Sequence, residues 1–500
     1  MKYVVKLSAE ITIKTRPVRK QFVTRLKGNL RRLNRYHGLA CDVIARWDML
    51  EVVVDPVMHE SPQDFALRVA AVGALLGDTP GIAHFLEVVE HKLPDDADCN
   101  AAPALECIAR AASDIYLPRL GGNSFAVRCK RVGKHAFKSQ DVERYVGGCL
   151  EEEAEDVCVA LKNPDVLVGI EIKKQRLFVV KQRHSGLGGL PLGCVGQVLS
   201  LVSGGYDSSV ASFDVMRRGM ETHFCFFNLG GLAHEVGVKQ VSHYLWDRYG
   251  ASHRTAFISV PFAEVVEEIL REIARPYMGV VLKRMMLRAA NQVADAMSLP
   301  ALVTGESVAQ VSSQTVHNLA LIDKVSERLV MRPLVASDKP QIIATAVKAG
   351  VATYAEHMPE YCAVISDKPT TAAKPHLLEI QESKFNFDVL QRAVAARKLC
   401  AIDEVYASNE ILDAVERQAV PEPGQVIIDL RDEESCAKKP LQLIGNSTLN
   451  IPFYKLNRVF AELDANQQYL LYCDRGVMSR LHAAHLRTEG HANVKVYQPA

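Results

Sequence analysis

The first apolar positions of the chain alternate with charged ones in YVVKLSAEITI, and this period of two predicts a strand. A basic stretch from about Arg19 to Tyr36 follows with helical spacing, and a strand pair is expected around DMLEVVVD. Together they predict a small α+β unit over residues 1–62. A second unit, over 63–183, is opened by the helical pattern SPQDFALRVAAVGALL and carries strands in SFAVRCKRVG and LVGIEIKKQRLFVVKQR. Between those strands lies KHAFKSQDVERYVGG, where Ser139 is placed to cap a helix whose first turn carries Asp141 and Glu143. HSGLGGLPLGCVG (184–196) is a glycine-rich connection, and after it the pattern changes. Short apolar runs, VLSLV, HFCFFNL, AFISV and ALVTG, alternate with helical stretches, which predicts a parallel, doubly wound α/β sheet. The Pro-bearing SDKPTTAAKPH (366–376) closes this third unit, 184–376. Residues 377–420 read as a helical linker. PEPGQ opens a last unit, 421–500, with strands in VIIDLR and QYLLYC and a closing helix, RLHAAHLRTEG, that stops at Gly490. The expected fold class is multidomain, α/β and α+β.

Composition changes this picture little. Five hundred residues, 48% hydrophobic and 23% charged, give each unit material for a core and exclude a disordered chain, a collagen-like repeat or a coiled-coil rod. The net charge of +1 is uninformative, but residues 1–40 carry eleven Lys/Arg, from Lys2 to Arg35, against the single acid Glu10, a local +10. Such an arm suits a polyanion partner or a solvated surface. MKYVVKLSAEITIK holds no uninterrupted apolar stretch, and no segment approaches the roughly 20 apolar residues that span a bilayer. The twelve cysteines are scattered, with no CxxC pair and no zinc spacing. HEVGV around His234 lacks the second histidine of a zinc helix, because Val238 stands there. No resident metal site, no membrane partner and a cytoplasmic location with reduced thiols are therefore expected.

The sharpest signal is VLSLVSGGYDSSV. A buried strand runs to Leu201 and Val202, turns through Ser203, Gly204, Gly205, Tyr206, Asp207 and Ser208, and enters a helix. Adjacent glycines let the backbone approach a bulky anion, the helix N-terminus points at it, and Ser203 and Ser208 add hydroxyls. No GxxxxGK[ST] is present, which excludes a Walker-type site. SGGYDS resembles the pyrophosphate-binding loop of the PP-loop ATP pyrophosphatases. CFFNLGG, VLKRMMLRAA, ALVTGESVAQVSSQTVHNLALID and MRPLVASDKPQII further resemble the tRNA 4-thiouridine synthetase (ThiI) family, across essentially the whole chain. The resemblance implies a Rossmann-like PP-loop core and Mg2+-ATP as cofactor. It implies nucleotide contacts at Leu201, Val202, Lys283, Gly305 and Gln314, and activity that requires Asp207 and Lys339. Lys283 is a point charge suited to phosphate, Gly305 permits a close ligand approach, and Gln314 offers both a donor and an acceptor.

A second signal is LLYCDRGVMSR. The strand delivers Cys473 to a loop that becomes a helix, where amides between Asp474 and Ser479 surround the sulfur and favour its anion. Residues 421–500 resemble a rhodanese domain. Cys362, in PEYCAVIS, reads by itself as a core cysteine; the family resemblance implies that it pairs with Cys473 during turnover. A third signal is RCKRVGKHAFK, where Arg128, Lys130, Arg131, Lys134 and Lys138 crowd together as phosphate contacts or as a solvated charged face. Residues 63–183 resemble a THUMP domain, an RNA-binding module, behind an N-terminal ferredoxin-like domain.

The resemblance thus implies a tRNA sulfurtransferase that adenylates uridine 8 and replaces its position-4 oxygen with sulfur from a Cys473 persulfide. Its partners are tRNA, a cysteine desulfurase that loads the persulfide and a thiol reductant that resets the Cys362–Cys473 disulfide. A further partner is a sulfur-carrier protein for the thiazole of thiamine. A chain that serves mainly as a sulfur relay for thiamine synthesis is the alternative.

Overall fold

A computed structural model describes residues 1–46, 49–229, 231–356, 358, 369–405, 415–431, 436–437, 439–441, 443, 445–473, 477–488 and 490–499. The chain divides into two compact units, Met1–Cys194 with Arg217–Gly219, and Val195–Met216 with Met220–Ala500. No described helix is long and apolar enough to cross a membrane.

The first unit is built on one eight-stranded sheet. Its strands are β1 (Lys2–Leu7), β2 (Asp42–Ala45), β3 (Met49–Val53), β4 (Ile82–Lys92), β5 (Ser124–Val132), β6 (Cys158–Val159), β7 (Val166–Lys173) and β8 (Arg176–Ser185), in the order β2-β3-β1-β4-β8-β7-β5-β6. Val4 of β1 lies opposite both Glu51 and Leu86, so the boundary expected at 62/63 falls inside a single continuous layer. The helix Pro62–Asp78 is capped by Ser61, whose side chain accepts the Asp64 amide. It packs Val72 and Leu76 against Tyr3, Val5, Leu26 and Leu30 in one core. Leu26 and Leu30 come from the basic helix, Arg16–Tyr36, which starts three residues earlier than its apolar pattern suggests because Pro17 sits in its first turn. Helices Ala101–Leu120 and Ser139–Glu153 cover the other end of the sheet with Ile108, Ala112, Val142 and Val146 against Val127, Ile170 and Val179. Ser139 does not cap its helix. It is the first helical residue, and Lys138 takes the cap position, its amide donating to Asp141 at 2.7 Å.

In the second unit a six-stranded sheet runs β13-β12-β9-β10-β11-β14. Its strands are β9 (Gln197–Leu201), β10 (Glu221–Asn228), β11 (Ala256–Pro261), β12 (Ala301–Val303), β13 (Leu329–Met331) and β14 (Lys398–Ala401). β9 to β13 are parallel, as the strand–helix alternation requires. β14 is antiparallel to β11, with Leu399 opposite Ile258. The stretch read as a helical linker therefore completes this sheet. Helices Pro375–Glu382 and Phe387–Ala395 place Leu378, Leu390 and Val394 in the same core as Ile258, Met285 and Leu302. KLCA is too short and too charged at its start to announce a strand.

The tail sheet, in the same unit, joins β15 (Arg417–Gln418), β16 (Val426–Asp429), β17 (Ser447–Asn450), β18 (Tyr469–Tyr472) and β19 (Val494–Tyr497) in the order β15-β19-β18-β16-β17, all parallel. Its closing helix, Val477–Thr488, ends at Gly490, whose φ of 99° only glycine tolerates well at a helix stop.

Candidate functional site

β9 is central in its sheet, with β10 on one side and β12 on the other, so the loops leaving its C-terminal end and that of β12 diverge at a topological switch point, where open α/β sheets bind ligands. After β9 the Ser203 amide donates to Ser208 Oγ at 3.1 Å, and the two hydroxyls lie 3.2 Å apart. Ser209 Oγ donates to the Gly205 carbonyl at 2.8 Å. These bonds fold the loop onto the helix Tyr206–Arg217. Gly204 has φ 84°, a left-handed conformation open to glycine. The amides of Gly204 and Gly205 donate to no described group, so the loop keeps donors for an anion at a helix N-terminus. Gly305 serves this loop directly: a Cβ there would lie 2.5 Å from the Asp207 carbonyl carbon and 2.6 Å from the Ser208 amide nitrogen. Its missing side chain is thus demanded by the protein's own backbone, rather than by the ligand approach expected from sequence.

Asp207 and Lys339, 132 positions apart, meet at 2.9 Å. Gln310 Nε2 also donates to Asp207, at 2.8 Å, and Lys339 Nζ stands 5.5 Å from the centre of the Tyr206 ring. Lys339 opens the helix Lys339–Ala349, whose cap residue Asp338 accepts the Gln341 amide at 2.9 Å. Lys283 is held by an ion pair. Its ammonium lies 2.5 Å from Glu306 Oε1, while Arg332 Nε holds Glu306 Oε2 at 2.7 Å and its two terminal nitrogens grip Asp323 at 2.6 and 2.9 Å. Burial alone would raise the Glu306 pKa; the charges of Lys283 and Arg332 outweigh it and hold the carboxyl at about 2. Glu306 and Arg332 were not singled out in the sequence, since isolated charges in loops carry no periodic signal. Gln314 is buried on the turn Ser312–Gln314, and its Oε1 has no partner among the described residues, leaving an acceptor available. Leu201 ends the strand, one residue before the Val202 expected, and the Val202 amide just beyond it is spent on the Cys225 carbonyl at 2.9 Å.

Cys473 follows β18 directly and is buried. The amide of Ser479, third residue of the closing helix, donates to its Sγ at 3.3 Å, and Ser479 Oγ lies at 3.5 Å, so the sulfur sits on a helix N-terminus. The same helix reaches the helix Gly231–Leu245, which packs beside the six-stranded sheet, where His482 Nε2 lies 3.2 Å from Gln240 Nε2. Cys362, Asp474 and Arg475 lie outside the described residues. Met358, four positions before Cys362, rests against the loop: its methyl occupies the space a Gly204 Cβ would need.

In the first unit the expected basic cluster divides. Val127 and Cys129 of β5 face the helices, so Arg128 and Lys130 point to the opposite face of the sheet. Arg128 donates to the Leu161 carbonyl at 2.7 Å. Arg131, on the helix side, donates to the Gly133 carbonyl at 3.0 Å and meets His135 Nδ1 at 2.9 Å. Lys130, Lys134 and Lys138 are exposed and form no ion pair among the described residues.

Comparisons with known proteins sharpen the reading. The family model described as thiamine biosynthesis protein (ThiI) matches residues 193–387, and the THUMP domain model matches 103–180. The chain is 51% identical to a tRNA sulfurtransferase of Pseudomonas aeruginosa (strain LESB58) and 50% identical to one of Azotobacter vinelandii (strain DJ), each over 502 aligned residues and 100% of both chains. Among solved structures it is similar to a 4-thiouridine synthetase–RNA complex with bound ATP, at a TM-score of 0.65 and 24% identity over 80% of this chain and 99% of that one. It is also similar to PH1313 from Pyrococcus horikoshii Ot3, at a TM-score of 0.52 and 18% identity over 70% of this chain and 100% of that one. The two structural likenesses concern the fold.

Proposed function

The chain belongs to the tRNA sulfurtransferase family, and on that premise we propose that it uses ATP to make 4-thiouridine at uridine 8 of tRNA. The observation that carries this reading is the meeting of Asp207 and Lys339 beside a glycine loop whose Gly204 and Gly205 amides, at a helix N-terminus, donate to no described group. The loop suits phosphates: the Gly204 and Gly205 amides and Lys339 hold them, and the Gln314 carbonyl accepts from the adenine amino group. Lys283, paired with Glu306, is the further cation assigned to the nucleotide. ATP, with Mg2+ accompanying its phosphates, supplies the adenylyl group that turns the uracil oxygen into a leaving group.

Sulfur comes from a persulfide on Cys473, loaded by a cysteine desulfurase, with the Ser479 amide donating to the Sγ that carries it. The outer sulfur attacks the activated ring carbon and AMP departs, leaving the base joined to Cys473 through a sulfur–sulfur bond. The Cys362 thiolate then attacks the Cys473 sulfur. That bond breaks in favour of the Cys362–Cys473 disulfide, and 4-thiouridine is released. Two electrons from a cellular thiol reductant restore both cysteines. Residues 421–500 act here as a rhodanese-type sulfur carrier. The test is mass spectrometry of nucleosides from unmodified tRNA incubated with the protein, Mg2+-ATP, cysteine and a cysteine desulfurase. A sulfur-for-oxygen exchange at uridine 8 that requires ATP is expected; unchanged tRNA overturns the proposal.

RNA belongs to the first unit in this reading. The helix Arg16–Tyr36 turns Val23, Leu26, Leu30 and Leu33 inward and leaves Arg16, Lys20, Arg25, Arg31 and Arg35 exposed. It offers the charge that phosphates need, and exposed Lys134, with Lys130 on the opposite face of the sheet, adds further cations. Lys130→Ala with Lys134→Ala should weaken tRNA binding and reduce the slope of log affinity against log salt by about two, one for each phosphate no longer neutralised. An unchanged slope would make these lysines a solvated face. A second activity, sulfur delivery from Cys473 to the carrier protein of thiamine thiazole synthesis, is supported by the match to the thiamine biosynthesis family over 193–387.

A further inference from the structure

His234 is the histidine of the HEVGV segment, which has no zinc-binding partner and no part in the chemistry above. It lies on the helix Gly231–Leu245, is buried, and places Nε2 3.0 Å from the Ser203 carbonyl oxygen. A carbonyl only accepts, so Nε2 carries the proton and donates. Phe226 meets the ring edge-on, with centroids 4.8 Å apart and planes at 87°. Burial lowers the pKa of the imidazole, so the neutral ring makes this bond at physiological pH.

The consequence lies in the peptide that His234 grips. The Ser203 carbonyl and the Gly204 amide belong to one planar trans unit and point in opposite directions. Tying the carbonyl to His234 turns the Gly204 N–H away from that helix, where it meets no described group. A Cβ built at Gly204 would lie 3.1 Å from Val238, one turn along the same helix, and closer still to the Met358 methyl, so only glycine fits beside the peptide that His234 grips. We propose that His234 is a positioning residue that sets the Gly204 amide for the phosphates of the nucleotide, an inference that rests on the ATP reading of this loop.

The test compares His234→Phe, which keeps a ring against Phe226 and removes the donor, with His234→Gln, which restores an N–H near the Nε2 position. Equilibrium binding of ATP, inorganic pyrophosphate and adenosine is measured for both and for the wild-type protein. In the Phe variant ATP and pyrophosphate should weaken by about tenfold, the worth of one hydrogen bond, with adenosine unchanged and the Gln variant within about threefold of wild type. A Phe variant that binds all three like wild type, or loses all three together, overturns the role. Wild-type protein that binds neither ATP nor pyrophosphate removes the reading of the loop itself, and the inference with it. Should the Phe variant not fold, 15N spectra of histidine-labelled wild-type protein decide, with His234 assigned by its loss in the Gln variant. The Nε2-protonated neutral ring is expected near pH 7, and an Nδ1-protonated ring overturns the proposal.

Discussion

Asp207→Ala should lower tRNA-dependent release of pyrophosphate from ATP by at least about a hundredfold, the size of effect seen when a preorganised polar group is removed from a reacting centre. Asp207 sits in the first turn of the loop helix and binds both Lys339 and Gln310, so its loss releases two side chains from the loop at once. Lys339→Met should act in the same direction, because it leaves the Asp207 carboxylate with Gln310 but no cation beside the phosphates. Neither change touches the tail sheet that carries Cys473, so labelling of Cys473 with sulfur from cysteine and a desulfurase should continue at the wild-type rate. The two rates are measured on the same preparation. Adenylation within threefold of wild type in Asp207→Ala would remove this residue from the reaction.

The second large effect concerns the cysteines. Cys473→Ala should abolish sulfur delivery to every acceptor, since no other site for the persulfide enters the scheme. Cys362→Ser should behave differently: the persulfide forms, the ring carbon is attacked, and the reaction stops with tRNA joined to Cys473 through two sulfurs. That adduct should migrate with the protein on a non-reducing gel and come free with dithiothreitol. In the wild-type protein one turnover without reductant should leave a Cys362–Cys473 peptide, which requires the two Cα atoms to come within roughly 7 Å. Full activity of Cys362→Ser together with no such peptide would return Cys362 to the core.

Much of the site was legible because its signals are local. The glycine pair between an apolar strand and a helix, and the cysteine at the end of LLYC, each occupy fewer than about fifteen consecutive residues, and both elements form where their patterns place them. What escaped reading depends on partners far away in sequence. Glu306 and Arg332 seat Lys283, and His234 reaches back 31 positions to Ser203. Glu51 interrupts the apolar run MLEVV, yet it is buried, because Arg176, 125 positions later, pairs with both its oxygens at 2.6 and 2.8 Å. Alternation predicts which strand positions are polar; it does not say whether water or another charge will satisfy them. The basic cluster at 128–138 failed as a single patch for a related reason, since neighbours along a strand point to opposite faces.

β14 also sets a schedule for synthesis. The ribosome makes Ile258 about 140 residues before the Leu399 that pairs with it. At 5–20 residues per second, roughly seven to thirty seconds pass while the outer rim of β11, with its apolar AFISV run, has no neighbour on that side. Such an open rim invites pairing with other nascent chains. The exposed Lys398 at the start of β14 ends that interval by giving the sheet a short, charged border. Chaperone dependence of this protein should therefore be concentrated in translation of residues 261–398, and a ribosome stalled there would hold the chain at its stickiest.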